Sequence, residues 1–112
     1  MPRLLGKGRA LKLILSGEII DSAEAYRIGL VDELEPDAHV IERSETVLKK
    51  IIANAPLSVK YALEAVNKGL ETSLAEGLII EASLFAVCAS TDDKKEGTSA
   101  FLEKRAPKFQ GR

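Results

Sequence analysis

The segment from Leu74 to Ala89 limits the possible folds of this chain more than any other, because it is apolar on almost every side of a helix. Ser73 precedes it and Glu76 follows three residues later, which is the pattern of a capping box. Its large apolar residues share no single stripe: Leu74, Leu78, Ile79, Ile80, Leu84, Phe85 and Val87. A helix that is apolar all round is buried all round, and a chain of 112 residues has little material to surround one. We therefore expect part of this surface to meet a sister subunit or another part of the same protein.

Helical periodicity elsewhere predicts a mainly α fold, a multi-helix domain with short extended connections. The other predicted helices cover residues 2–15, a segment capped by Asp21 and stopped by Gly29, residues 37–54, 56–68, and a last helix that follows Thr91. Residues 18–20 and 30–34 are predicted to be short and extended. Gly6 and Gly8 each weaken a helix by roughly 1 kcal/mol relative to Ala, so we expect another backbone to pack close to them. By length, residues 1–112 should form a single domain.

Residues 90–112 read as one capped helix followed by a basic tail. Thr91 is a suitable N-cap, and Lys104 and Arg105 precede Pro107, which cannot continue a helix. Phe101 and Lys104 are three residues apart and should share a face. That pair suits a ligand with a flat base and a phosphate, and it suits equally a core Phe beside a solvated Lys.

Residues that could carry catalysis are few. His39 is the only histidine and Cys88 the only cysteine, so the chain has no spacing typical of a metal site. We interpret His39 as an exposed structural residue and Cys88 as a buried, inert thiol rather than a nucleophile. Glu81 falls in line with apolar residues of its helix, where it is either a general acid or one half of a structural salt bridge to an Arg. The salt bridge is the favoured interpretation, and no catalytic residue is assigned.

The charge balance argues against a dedicated nucleic-acid binder, because 16 Lys and Arg face 17 Asp and Glu, with a net charge of −1. No apolar run approaches the length of about 18 residues that a membrane-spanning helix needs. A lone cysteine suits a reducing compartment. We therefore expect a protein of a reducing compartment such as the cytoplasm.

Several short motifs together resemble the enoyl-CoA hydratase/isomerase (crotonase) family. They are Asp92, Glu96-Gly97, the run from Ala100 to Arg105, Pro107 and Phe109, preceded by Pro2 to Gly6, Ala25 to Val31, and Ala55-Pro56. The resemblance follows nearly the whole chain in the right order.

This resemblance implies that the chain corresponds to the C-terminal helical (trimerisation) part of the crotonase fold, without the N-terminal catalytic αβ core. The parent would be a carbon–oxygen lyase that hydrates 2-enoyl-CoA in fatty-acid β-oxidation, or an isomerase-branch member. This part would build a homotrimer or hexamer and complete the pocket for the acyl-CoA thioester, with Phe101 beside the adenine and Lys104 near the phosphates. The resemblance implies no cofactor and no metal, and it implies that the chain alone is inactive.

A different class of function also fits the sequence. The chain could be a self-standing helical module for protein interaction, without CoA binding, whose docking face is the apolar helix Leu74–Ala89.

Overall fold

A computed structural model describes residues 1–112 as helices joined by turns, without a β-strand. The helices are α1 (Pro2–Leu5), α2 (Lys7–Ser16), α3 (Ser22–Arg27), a 3₁₀ turn (Asp37–His39), α4 (Val40–Ile52), α5 (Pro56–Gly69), α6 (Leu74–Ala89) and α7 (Asp92–Leu102). The structure confirms the predicted mainly α class. The stretches at residues 18–20 and 30–34 form no strand.

The chain divides into two compact units, Met1–Ser44 and Glu45–Arg112, with the boundary inside α4. The single-domain organisation of residues 1–112 stays a prediction.

In the first unit, the helix predicted over residues 2–15 is interrupted at Gly6. This glycine has a φ of 76° and a ψ of 161°, a backbone conformation that side chains with a Cβ rarely adopt. A Cβ added at Gly6 or Gly8 would meet nothing within 4 Å. The expectation that another backbone packs close to these glycines is therefore wrong for this chain, and Gly6 instead supplies the turn between α1 and α2.

The short helix α3 is fixed by its two ends. At its start, Asp21 accepts a hydrogen bond of 2.7 Å from the amide of Glu24. At its end, Gly29 has a φ of 77°, its amide donates to the carbonyl of Tyr26, and the next amide reaches back to Ala25. This pair of bonds is a Schellman motif, which confirms the predicted left-handed stop at Gly29.

In the second unit, α5 packs against α6. Pro56 begins α5 at its first turn, and Ser73 and Glu76 form the complete capping box at the start of α6. A Cβ on Gly77 would lie 3.4 Å from the Cα of Gly69. The absence of a side chain at residue 77 therefore lets these two helices approach closely near the turn that joins them.

Few apolar side chains are buried within the chain. The buried ones are Ala10, Ala25, Ile28, Ala55 and Ala100. The accessible area is 8818 Å², whereas two separate compact globules of the size of these units would together expose about 7,200 Å². Helix α6 contributes no buried residue, and its Leu74 and Phe85 are 79% and 73% exposed. Helix α6 thus lacks, within this chain, the cover that its composition requires.

None of the helices is by itself long and apolar enough to cross a membrane. Helices α6 and α7 reach the necessary length and composition only as a pair, with a bend of 74° between them.

Candidate ligand-binding surface

The start of α7 follows the sequence prediction. The hydroxyl of Thr91 accepts a hydrogen bond of 3.1 Å from the amide of Lys94, which satisfies one of the free amides of the first turn. Asp92 accepts a hydrogen bond of 3.0 Å from Lys95, and this bond holds the pKa of Asp92 below its ordinary value.

The end of α7 differs from the prediction. The helix stops at Leu102, and Lys104 has a φ of 55°, the only positive φ in the chain outside glycine. The amide of Lys104 donates to Phe101, and the amide of Arg105 donates to Ala100 at 3.0 Å, which is again a Schellman motif. Lys104 therefore lies beyond the helix, and the prediction that Phe101 and Lys104 share a helical face is wrong. Their assignment to a ligand stays a prediction.

The last eight residues, 105–112, fold back on α7 and form what we call the C-terminal strap. Asp93 holds its far end: one carboxylate oxygen accepts the amide of Gln110 at 2.6 Å, and the other accepts the amide of Gly111 at 2.7 Å. The amide of Asp93 donates in turn to the carbonyl of Arg112 at 3.0 Å. Asp93 is only 3% exposed, so its carboxylate is buried with both oxygens paired.

Glu96 holds the near end of the strap. Its two carboxylate oxygens accept hydrogen bonds of 2.6 and 3.0 Å from the guanidinium of Arg105, and it also accepts the amide of Lys108 at 2.8 Å. These bonds lower the pKa of Glu96 to about 2 and raise the pKa of Arg105. The segment predicted as a basic tail is thus docked along α7.

An open apolar groove of about 970 Å³ lies between α5, α6 and α7. Its lining includes Leu78, Phe85 and Phe101, and the ring of Phe109 from the strap. The position of a Cβ on Gly97 would be 3.4 Å from the Phe109 ring, so this glycine makes room for the strap to pack on α7.

The two residues predicted to contact a ligand have different surroundings. Phe101 lines the groove and is 83% exposed. Lys104 is exposed and does not line the groove. Its ammonium forms no hydrogen bond or ion pair within the chain, whereas the neighbouring Arg105 is bound to both Glu96 and Glu103. Lys104 therefore offers a free positive charge beside a fixed one.

The other residues considered from the sequence carry no catalytic arrangement. His39 is exposed, as predicted, with Nδ1 3.6 Å from a carboxylate oxygen of Glu42. Cys88 is half-buried at the groove rather than fully buried. Glu81 also lines the groove and has no partner within the chain, so the internal form of the predicted salt bridge is not made. No cluster of three or more metal-ligating side chains is present.

Asp93 and Glu96 were missed as partners of the chain terminus. No sequence pattern assigned a role at the chain terminus to Asp93, and Glu96 was only part of a family motif. Both contacts join residues 9 to 18 positions apart, for which no local rule provides a signal.

Comparison with known proteins adds a family context to this geometry. The family model described as enoyl-CoA hydratase/isomerase matches residues 1–112. A crotonyl-CoA hydratase of Syntrophomonas wolfei is 36% identical over 109 residues, which are 97% of this chain and 42% of that protein. A 2,3-dehydroadipyl-CoA hydratase of Escherichia coli K12 is 39% identical over 110 residues, 98% of this chain and 43% of that protein.

Comparison with solved structures leads to the same family. An enoyl-CoA hydratase from Bacillus anthracis superposes with a TM-score of 0.95 at 38% identity, and the match covers 99% of this chain and 43% of that one. The chain therefore spans less than half the length of the relatives that it matches.

Proposed function

The chain belongs to the enoyl-CoA hydratase/isomerase family, and from this premise we propose that it is the C-terminal helical part of an enzyme that hydrates 2-enoyl-CoA in fatty-acid β-oxidation. Its own tasks are to build the oligomer, a trimer or hexamer, and to complete the CoA pocket. The catalytic groups belong to the part of the relatives that this chain does not match, and the setting is the cytoplasm or the mitochondrial matrix. The observation that carries the proposal is a family match over the whole chain at under half the relatives' length.

The backbone at Lys104 supports a ligand-binding task for its side chain. A residue with a Cβ pays roughly 1–2 kcal/mol to adopt the left-handed conformation, which Gly adopts freely. Lys104 adopts it with a φ of 55° and obtains no hydrogen bond or ion pair for its ammonium. The side chain thus contributes nothing visible to stability, and an ammonium is a suitable point charge for a phosphate.

The exposed ring of Phe101 supports the other half of the assignment. A Phe that is 83% exposed gains little from burial in this chain, and an aromatic face can stack on a flat base such as adenine. The uncovered apolar surface of α6 supports the role in assembly, because large exposed apolar patches mark interaction surfaces.

A chimera with a relative tests this proposal. The part of the Syntrophomonas wolfei hydratase that the chain does not match is joined to the start of this chain. Hydration is then followed by the loss of enoyl-thioester absorbance, with crotonyl-CoA and with crotonyl-pantetheine, which lacks the nucleotide. We expect activity, and we expect Lys104→Ala to raise KM for crotonyl-CoA about tenfold, since a charge-assisted hydrogen bond contributes 1.5–3 kcal/mol.

The nucleotide-free substrate supplies the decisive contrast. Lys104→Ala and Phe101→Ala should leave KM for crotonyl-pantetheine unchanged, and the neighbouring controls Lys95→Ala and Leu102→Ala should change neither KM. An unchanged KM for crotonyl-CoA in both Lys104→Ala and Phe101→Ala would remove the site assignment. The purified chain alone should hydrate no crotonyl-CoA, and measurable hydration would contradict the placement of the catalytic groups outside it.

The exposed face of α6 also favours a second function, a helical interaction module without CoA binding. In that case the chimera would show no hydratase activity, and the chain would bind a partner through α6 regardless of substitutions at residues 101 and 104.

A further inference from the structure

We propose that Asp93 and Glu96 are positioning residues that fix Lys104 for its phosphate contact by clamping the C-terminal strap on α7. The inference rests on the proposed function, because it concerns the orientation of the same ammonium. To the proposed site, the inference adds the carboxylates of Asp93 and Glu96, which would act on the position of Lys104 without contacting the ligand.

The contact between Glu96 and Arg105, which is the first of the two clamps, lies next to Lys104 in the chain. The following residue, Arg105, is attached twice to α7: its amide donates to the carbonyl of Ala100 at 3.0 Å, and its guanidinium forms a two-pronged contact with Glu96. Lys104 is therefore held between the end of the helix and a fixed Arg. Because a left-handed φ is unfavourable for a lysine, release of Arg105 from Glu96 would let the backbone at Lys104 relax and move the ammonium.

Asp93 fixes the other end of the same segment. A buried carboxylate is costly unless its oxygens are hydrogen-bonded, and Asp93 accepts the amides of Gln110 and Gly111 with one oxygen each. Between the two clamps, the ring of Phe109 packs against Gly97. The strap is thus held along α7 at three points, Asp93, Gly97 and Glu96.

The chemistry of these contacts favours positioning over simple adhesion. The strap buries no large apolar side chain, and Phe109 is only half-buried. Its attachments are directional hydrogen bonds, which specify a geometry more sharply than apolar packing does. Their loss should disturb where the ammonium lies more than whether the helices form.

The chimera tests this inference with substitutions that keep side-chain size. Glu96→Gln and Asp93→Asn should raise KM for crotonyl-CoA severalfold while kcat and KM for crotonyl-pantetheine stay unchanged. In a Lys104→Ala background the same substitutions should add nothing, because the group that they position is gone. Asp92→Asn is the matched control, since Asp92 lies on the same turn, is hydrogen-bonded to the exposed Lys95 and makes no hydrogen bond to the strap.

The outcomes separate the inference from the proposed function. If Lys104→Ala raises KM for crotonyl-CoA but Glu96→Gln does not, or if their effects simply add, the positioning role is overturned and the proposed site stands. An equal rise for both substrates would also overturn the positioning role. If Lys104→Ala leaves KM for crotonyl-CoA unchanged, the positioning role fails together with the Lys104 contact, and the whole site assignment fails if Phe101→Ala leaves that KM unchanged as well.

A measurement on the 112-residue chain keeps the inference testable even where a chimera variant is inactive. Amide hydrogen exchange should show faster exchange at Gln110 and Gly111 in Asp93→Asn, and at Arg105 and Lys108 in Glu96→Gln, with Asp92→Asn unchanged. Unaltered exchange at Arg105 in Glu96→Gln would break the proposed link between the clamp and Lys104.

Discussion

At position 104, glycine should stabilise the chain more than alanine does, in the reverse of the order expected within a helix. Alanine in the left-handed conformation retains a penalty of roughly 1–2 kcal/mol. Glycine avoids this penalty, but its greater conformational freedom in the unfolded state costs roughly 0.5–1 kcal/mol of stability. Because Lys104 has a φ of 55°, Lys104→Gly should exceed Lys104→Ala in free energy of unfolding by about 0.5–1 kcal/mol.

The matched pair of control substitutions is made at Lys95, an exposed position inside α7. There, Lys95→Gly should be less stable than Lys95→Ala by about 1 kcal/mol, so the order of the two residues reverses between the two sites. Urea denaturation followed by helical circular dichroism measures all four variants. Both substitutions at Lys104 remove the ammonium, so loss of charge cannot produce the difference between them.

One order of stabilities would contradict the prediction for residue 104. If alanine is the more stable residue at both positions, Lys104 is not held in the left-handed conformation, and its backbone gives no reason to expect that the side chain is kept for a ligand. If glycine stabilises the chain and also raises KM for crotonyl-CoA in the chimera, stability and ligand binding oppose each other at this residue.

Three further predictions concern α6 and the strap. Ser73→Ala removes the cap of α6 and should lower the free energy of unfolding by about 1 kcal/mol, whereas the mid-helix control Ser83→Ala should not; equal values would discount the capping box. The pKa of Glu96 is lowered from 4.5 to about 2, so its contribution to stability is complete above pH 4.5 and is lost as the pH falls toward 2. Glu96→Gln should therefore flatten the acid limb of stability against pH, and an unchanged limb would contradict the bond to Arg105. The purified chain should self-associate at micromolar concentration in sedimentation experiments and Phe85→Asp should weaken this, whereas a monomer that binds no hydrophobic dye would contradict the need for cover.

Features decided within a few residues could be predicted from the sequence. The caps at Thr91 and Ser73 and the stop at Gly29 were all predicted, because each depends on one side chain or one backbone angle and on amides three residues away. The amphipathic pattern located α4 and α5, and the long apolar run located α6, each to within a few residues. The uncovered surface of α6 followed from composition alone, since no chain of this size could surround it.

The strap could not be predicted, because its contacts join residues that no periodicity links. Asp93 and Gly111 are 18 positions apart. Lys104 and Arg105 were assigned to the helix that Pro107 was expected to end, which placed the end of α7 too late. In the structure Arg105 lies beyond the helix and its guanidinium is bound to Glu96, a contact between residues nine positions apart.

The hydrogen bonds of Asp93 and Glu96 matter for the geometry because the chain has few buried apolar side chains. With only five buried apolar residues, most of them alanines, the chain obtains little specificity from packing, and its large apolar side chains lie uncovered. Directional hydrogen bonds must then define the geometry near the terminus, and Asp93 and Glu96 supply them beside Phe101 and Lys104. A chain whose large apolar side chains lie uncovered can thus still hold its terminus in one conformation, which is what the proposed contacts of Phe101 and Lys104 with CoA require.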